Sequence, residues 1–239
     1  MTAKEENRRP ISQRSHGWAK YMTRVLAKSG VTPNFISFTS IVFASLAGAC
    51  FYASALATNP IDRVLLCLGA ALFCQLRLLA NMLDGMVAVE AGKGSPDGPV
   101  WNELPDRFAD IAVLVGAGYA VALLGVADAS LGWAAAVAAV MTAYVREVVK
   151  GAGAPADFSG PMAKPHRMFV MTMAALLSIF DGPLGGAWVA WLLGGRWSGG
   201  SGEGAFIELA LWIVLIGSTL TVLNRAWRGL MYLNKSPRP

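Results

Sequence analysis

Five polar side chains stand in the middle of apolar sequence. Asn81 and Asp84, followed by Gly85, close one long apolar run, and Glu103, Asp106 and Asp110 open the next. Spacings of three (Asn81 to Asp84, Glu103 to Asp106) and four (Asp106 to Asp110) put each set on one helical face. Two helices joined by a loop would therefore face each other across a polar cluster. Like charges at such close quarters repel and take up protons unless a cation sits among them, and their oxygens suit a hard divalent ion such as Mg²⁺. Two such ions clamp a pyrophosphate and stabilise the charge on attacking and leaving oxygens. Gly85 and Ala88 on the same helix let a bulky group approach the backbone. A plainer reading has the acids cap helices and pair with Arg77 and Arg107. It suits Glu103 and Asp106 in a first turn, and suits Asp84 poorly, since the macrodipole is unfavourable near a helix C-terminus.

The elements that hold these residues are apolar. Of 239 residues 55% are hydrophobic and 15% charged, yet the net charge is +5. That composition excludes a disordered, collagenous or disulfide-stapled chain. Cys50, Cys67 and Cys74 lie in apolar runs as small buried hydrophobes. Runs at about Phe35 to Thr58, Val64 to Ala88, Leu104 to Leu124, Leu131 to Val149, Met168 to Leu193 and Phe206 to Met231 predict an all-α integral membrane protein of six transmembrane helices. The fifth is interrupted at Asp181-Gly-Pro-Leu-Gly-Gly186. An even number of spans puts both termini on one side; all of the 20 basic residues but Arg63, Arg77 and Arg196 fall there, 17 in all, which predicts N-in, C-in topology. This placement points to a membrane and not to nucleic acid. Residues 1–33 lack the apolar core of a cleavable signal and form a cytoplasmic segment. Within it, Arg14 to Lys28 predicts an amphipathic interfacial helix, with Trp18, Tyr21, Met22, Val25 and Leu26 at helical spacing. Thr32-Pro33-Asn34 then starts the first span. Residues 34–232 form the transmembrane catalytic domain and 233–239 a cytoplasmic tail; Gly194 to Gly204 is a flexible loop on the far side. Ala44, Ala47, Gly48, Gly116 and Gly118 allow close helix packing.

With these residues the chain resembles the CDP-alcohol phosphotransferases, whose signature is Asp-x2-Asp-Gly-x2-Ala-Arg-x8-Gly-x3-Asp-x3-Asp. Here it reads Asn81-Met-Leu-Asp84-Gly85-Met-Val-Ala88-Val89, a longer spacer, then Asn102-Glu-Leu-Pro-Asp106-Arg-Phe-Ala-Asp110; Val31-Thr-Pro-Asn-Phe-Ile-Ser37 also looks like the family's start to its first helix. The resemblance implies that Asn81, Asp84, Asp106 and Asp110 are metal ligands for Mg²⁺ or Mn²⁺, two ions in all. It also implies that Asp110 is the general base and that Gly85 and Ala88 line the nucleotide site. The implied reaction is attack of a small cytoplasmic alcohol on the β-phosphate of CDP-diacylglycerol, releasing CMP. The implied setting is a homodimer in the cell's inner membrane, among its lipids, with the active site on the cytoplasmic side. The departures are Asn81 for the first Asp, Val89 for Arg, Asn102 for Gly, and the spacer; an amide oxygen still ligates, and Glu103 is a candidate additional ligand.

A second polar cluster holds Tyr144, Arg146, Glu147 and Lys150, then Lys164, His166 and Arg167. Arg146, Lys164, His166 and Arg167 are candidate phosphate-binding residues, which would suit a phosphorylated acceptor; positive-inside anchoring explains them almost as well. Asn224, Arg225 and Arg228 read as anchors. Gly92-Lys-Gly-Ser95 lacks the Walker spacing, and the cysteines and histidines give no zinc pattern. Two rival readings remain: a catalytically impaired homologue that binds CDP-lipid, and a small transporter, which would need acids spread across the bilayer's depth.

Overall fold

A computed structural model of the chain describes residues 16–90, 92, 96–181 and 203–235. Its elements are α1 (Gly17–Lys28), α2 (Pro33–Leu56), α3 (Pro60–Glu90), α4 (Gly98–Leu123), α5 (Ser130–Gly151), α6 (Lys164–Leu177) with a 3-10 turn at Ser178–Phe180, and α7 (Ala205–Lys235). Three prolines sit at helix starts, where the N–H they lack would have no partner: Pro33, Pro60 and Pro165 open α2, α3 and α6, while Pro105 lies inside α4. As expected at Thr32, its hydroxyl caps α2 by accepting from the Phe35 N–H at 3.3 Å.

Helices α2, α3, α5 and α7 are each long and apolar enough to cross a membrane. Helix α4 has 26 residues, but Glu103, Asp106, Arg107 and Asp110 occupy its first half. The run from Met168 to Leu193 passes into residues 182–202, outside those described, as does most of the loop expected at Gly194 to Gly204. The outer surface is strongly apolar: Phe38, Leu72, Ile216 and Leu223 are exposed, whereas Arg77, Asp84, Asp106, Asp110 and Arg167 are buried. Apolar outside and polar inside, on helices of this length, is the pattern of a chain whose solvent is lipid. The protein is an α-helical membrane protein.

Small side chains set the packing. Helix α2 packs on α3 and α4, α5 on α7 and α4, and α6 on α3 and α7. At the α2–α4 crossing a Cβ added to Gly116 would stand 2.4 Å from the Gly48 carbonyl oxygen, so the two backbones touch there. Gly118 and Gly132 do the same for α4 and α5. Lipid gives helices no hydrophobic drive to associate, so close backbone contact of this kind holds them together. The ends of α6 and α7 are tied by Asp181, which accepts from the Gly204 N–H at 2.7 Å and pairs with Arg63 at 3.4 Å.

One expectation changes. Helix α4 begins at Gly98, ahead of the apolar run at Leu104, so Glu103 and Asp106 lie beyond its first turn and do not cap it. The extra turns carry the acids past the helix start and against α3 and α6.

Candidate active site

Four helices bring the polar residues together. Arg77, Asn81 and Asp84 lie on one face of α3, at spacings of four and three, and Asp106 and Asp110 lie on one face of α4. Lys164 and Arg167 come from the first turn of α6, and Ser37 from α2. Cations in a helix's first turn oppose its dipole; here the acids offset that cost.

The contacts divide into three groups. Asp110 is fully buried, with Oδ1 accepting from Arg77 Nη2 at 2.7 Å and Oδ2 from Arg167 Nη2 at 2.6 Å. Asn81 uses both ends of its amide: Nδ2 donates to Asp106 Oδ1 at 2.8 Å, and Oδ1 accepts from Lys164 Nζ. Lys164 Nζ also donates to Asp106 Oδ2 at 2.5 Å, closing a ring of three side chains. Asp84 is 3% exposed; its Oδ2 accepts from Ser37 Oγ at 2.6 Å, and its Oδ1 is buried with no hydrogen-bond partner. The pairing of these acids with Arg77 is as the plainer sequence reading has it, while Arg107 stays 3.8 Å from Asp106 and 3.7 Å from Glu103.

A cavity of about 1630 Å³ opens onto this cluster. Asn81, Asp84, Gly85, Ala88 and Asp106 line it on one side, and Arg146, Lys164, Arg167 and Arg225 on another. Asp110 lies behind the wall, screened by its two guanidiniums. Glu103 also lines the cavity, where its carboxylate pairs with Arg146 at 2.5 Å. His166 is exposed, its ring nitrogen 2.9 Å from the Pro161 carbonyl, and is not part of the lining. Of the four basic candidates the structure thus brings three to the cavity.

Two residues have no counterpart in the sequence reading of the site. Ser37 holds Asp84 from a different helix, and no spacing rule links positions 37 and 84. Arg225, read as an anchor, is 5% exposed and donates to the Thr142 carbonyl at 2.6 Å and the Ser159 carbonyl at 2.9 Å. It pins the α5–α6 connection that delivers Lys164. In that connection burial alone would raise the Asp157 carboxyl, but the Ser159 hydroxyl and N–H, Arg228 and Arg225 outweigh it and hold Asp157 below the usual carboxylate range.

Among the described residues no three His, Cys, Asp or Glu side chains converge as a ready-made metal cage. Within this cluster the carboxylate oxygen with no hydrogen-bond partner is Asp84 Oδ1, on a residue that lines the same cavity as Asp106. With a remaining lone pair of Asp106 it fits one hard cation, while the other oxygens of the cluster accept from Arg77, Arg167, Asn81 and Lys164.

No family model matches the chain. A phosphatidylinositol phosphate synthase of Mycolicibacterium smegmatis is 25% identical to it over 210 residues, which cover 85% of this chain and 80% of that protein. Among solved structures, the phosphatidylinositol phosphate synthase of Mycobacterium tuberculosis in complex with manganese and citrate matches with a TM-score of 0.65 at 20% identity, covering 92% of this chain and 90% of that one. The same enzyme with CDP-DAG bound matches with a TM-score of 0.64 at 19% identity, over 92% and 94% of the two chains. These structures share the chain's fold. The related sequence is that of a phosphatidylinositol phosphate synthase, and the spaced polar residues on α3 and α4 agree with the resemblance to the CDP-alcohol phosphotransferases.

Proposed function

We propose that the chain transfers a phosphatidyl group from CDP-diacylglycerol to a small alcohol, releasing CMP. The observation that carries this reading is the cavity itself, where an unpartnered Asp84 oxygen and Asp106 face Lys164, Arg167 and Arg146. Acids for a metal on one wall and cations for phosphate on the other suit a diphosphate and an anionic acceptor. Gly85 and Ala88 line the side given to the nucleotide.

In the proposed reaction the acceptor oxygen forms a bond to the β-phosphorus. The bond from that phosphorus to the bridging oxygen breaks, CMP leaves, and the acceptor proton passes to a carboxylate. Asp110 is the proposed base. A carboxylate shared by two guanidiniums accepts a proton poorly, so it serves only once one of them lets go. Arg167 lines the cavity, and an acceptor phosphate binding there would compete for it and free Asp110 Oδ2. That coupling favours a phosphorylated acceptor over a neutral one. A divalent ion, Mg²⁺ or Mn²⁺, would be held by Asp84 and Asp106, and when bound it supplies positive charge to the diphosphate.

In the membrane, we place the cavity at the cytoplasmic side, with N-in, C-in topology and six spans, counting α4 and the stretch that begins with α6. The basic residues gathered at that end support the orientation. Helix α1 lies in the interface: Ala19 and Thr23 are buried on its inner side, while Trp18, Tyr21 and Val25 are exposed. A homodimer in the inner membrane rests on the family resemblance. The test is to incubate purified protein with CDP-diacylglycerol and a panel of free and phosphorylated polyols, and to identify lipid products by mass spectrometry. A phosphatidyl-polyol phosphate is the expected product; a product formed only from unphosphorylated alcohols refutes the role given to the basic wall.

A further inference from the structure

Lys164 occupies an unusual place for a lysine at the mouth of an anion-binding cavity. Its ammonium does not reach into the open space; it sits on Asn81 Oδ1 and Asp106 Oδ2, the oxygens of the first and third positions of the signature. We infer that the Lys164 ammonium holds, between Asn81 and Asp106, the place a second divalent ion would take, so that the chain accommodates one divalent ion and not two. The inference deepens the proposed function, because it concerns the metal count of the same site.

Three observations carry it. The first is the orientation of Asn81. Its amide donates to Asp106 through Nδ2 and turns Oδ1 to Lys164. An aspartate cannot donate, and would set a second negative charge against Asp106. The substitution at position 81 and the lysine at 164 therefore answer each other: one removes a charge and adds a donor, and the other supplies the cation.

The second is charge balance. The carboxylates of Asp84, Asp106 and Asp110 face the cations Lys164, Arg77 and Arg167, all in contact with the cluster. Three against three is neutral before any metal binds, and Arg107, 3.8 Å from Asp106, is offset by Glu103 at 3.7 Å. Adding two dications to a neutral buried cluster leaves a large uncompensated charge in a low-dielectric site, which is strongly unfavourable. A single ion beside Asp84 has its charge met by the diphosphate it binds.

The third is donor supply. Asp110 spends both oxygens on guanidiniums, and Asn81 and Asp106 spend theirs on the ring with Lys164. The buried oxygen left over is Asp84 Oδ1, itself on the cavity wall. Asp84 Oδ1 together with a remaining lone pair of Asp106 fits one ion.

The experiment counts Mn²⁺ bound to the purified protein in the presence of CDP-diacylglycerol and no acceptor, by electron paramagnetic resonance of free and bound ion, with the count of a protein-free blank subtracted. The wild type is expected to saturate at about one Mn²⁺ per chain, and the double variant Asn81→Asp/Lys164→Met to take up about one ion more. Lys164→Arg keeps the positive charge and is expected to stay at the wild-type count, as is Asn81→Asp alone while Lys164 remains. Thermal melting of each variant confirms that the ions are counted on folded protein, and the two single variants keep the comparison open if the double variant does not fold. Saturation of the wild type at two ions overturns the inference. So does an Asn81→Asp variant that binds two with Lys164 in place, or a folded double variant with no gain. If the count rises by one and no CMP is ever released, the proposed function fails and the inference stands; CMP release with an unchanged count does the reverse.

Discussion

Replacing Asp110 by asparagine tests the most buried part of the site. Asp110 is fully buried between Arg77 and Arg167, themselves 0% and 1% exposed, with contacts of 2.7 and 2.6 Å. Asparagine keeps the shape and loses the charge. Its carbonyl still accepts from one guanidinium, but its amide then points donors at the donors of the other. Two buried cations are left with no carboxylate between them, and breaking a buried pair in this way costs about 3–5 kcal/mol. For a chain of 239 residues each kcal/mol moves Tm by about 2–4 °C, so Asp110→Asn is expected to melt about 6–20 °C lower in the same detergent. Arg167→Met leaves the Arg77 pair intact and should cost less, and the double variant Asp110→Asn/Arg167→Met should be less destabilised than the sum of the two. Turnover is lost in Asp110→Asn even at temperatures where it is folded. A Tm within about 2 °C of wild type refutes the claim that this carboxylate holds the two arginines.

Other perturbations test other links. Ser37→Ala removes the hydroxyl that orients Asp84, and a lost supporting bond of this kind lowers metal affinity about 10–100-fold, measurable by calorimetry with Mn²⁺; an unchanged affinity separates Ser37 from the metal site. Gly116→Ala places a methyl 2.4 Å from the Gly48 carbonyl oxygen, where only backbone can move, and is expected to cost about 1–3 kcal/mol or more, whereas Gly151→Ala, with open space around it, stays near neutral. Asp157 has a folded pKa below its unfolded one, so its clamp on the α5–α6 connection is present at neutral pH and is lost as pH falls through the depressed value. Melting curves of wild type and Asp157→Asn should therefore differ by a constant amount from pH 7 to 5 and converge only in stronger acid; convergence already at pH 6 contradicts this.

The helices and the acids on them were legible because both depend on local spacing. The apolar runs located α2, α3, α5 and α7, and intervals of three and four put Asn81 with Asp84 and Asp106 with Asp110 on shared faces, as found. Hydropathy placed the start of α4 too late, since the turns before Leu104 are polar and helical at once. What spacing does not encode is which helix answers which. The link from Ser37 to Asp84 spans 47 residues, and that from Lys164 to Asn81 spans 83. Basic residues near a membrane face satisfy the positive-inside pattern whether they point to water or into a site, so Arg225 read as an anchor and Arg167 could be named only as one of four phosphate-binding candidates. Asn81 shows the same limit: as a departure from a motif it reads as a weakened ligand, and only its contacts reveal an amide holding an acid and a lysine together.

The central claim is that this cavity cleaves CDP-diacylglycerol through Asp84 and Asp106. Its most direct test is CMP release from CDP-diacylglycerol by the purified protein with Mn²⁺ and a phosphorylated polyol, beside Asp106→Asn. Steady, acceptor-dependent CMP release that disappears in the variant is the predicted result. Binding of CDP-diacylglycerol with no CMP released for any acceptor would contradict it and leave a lipid-binding homologue in its place.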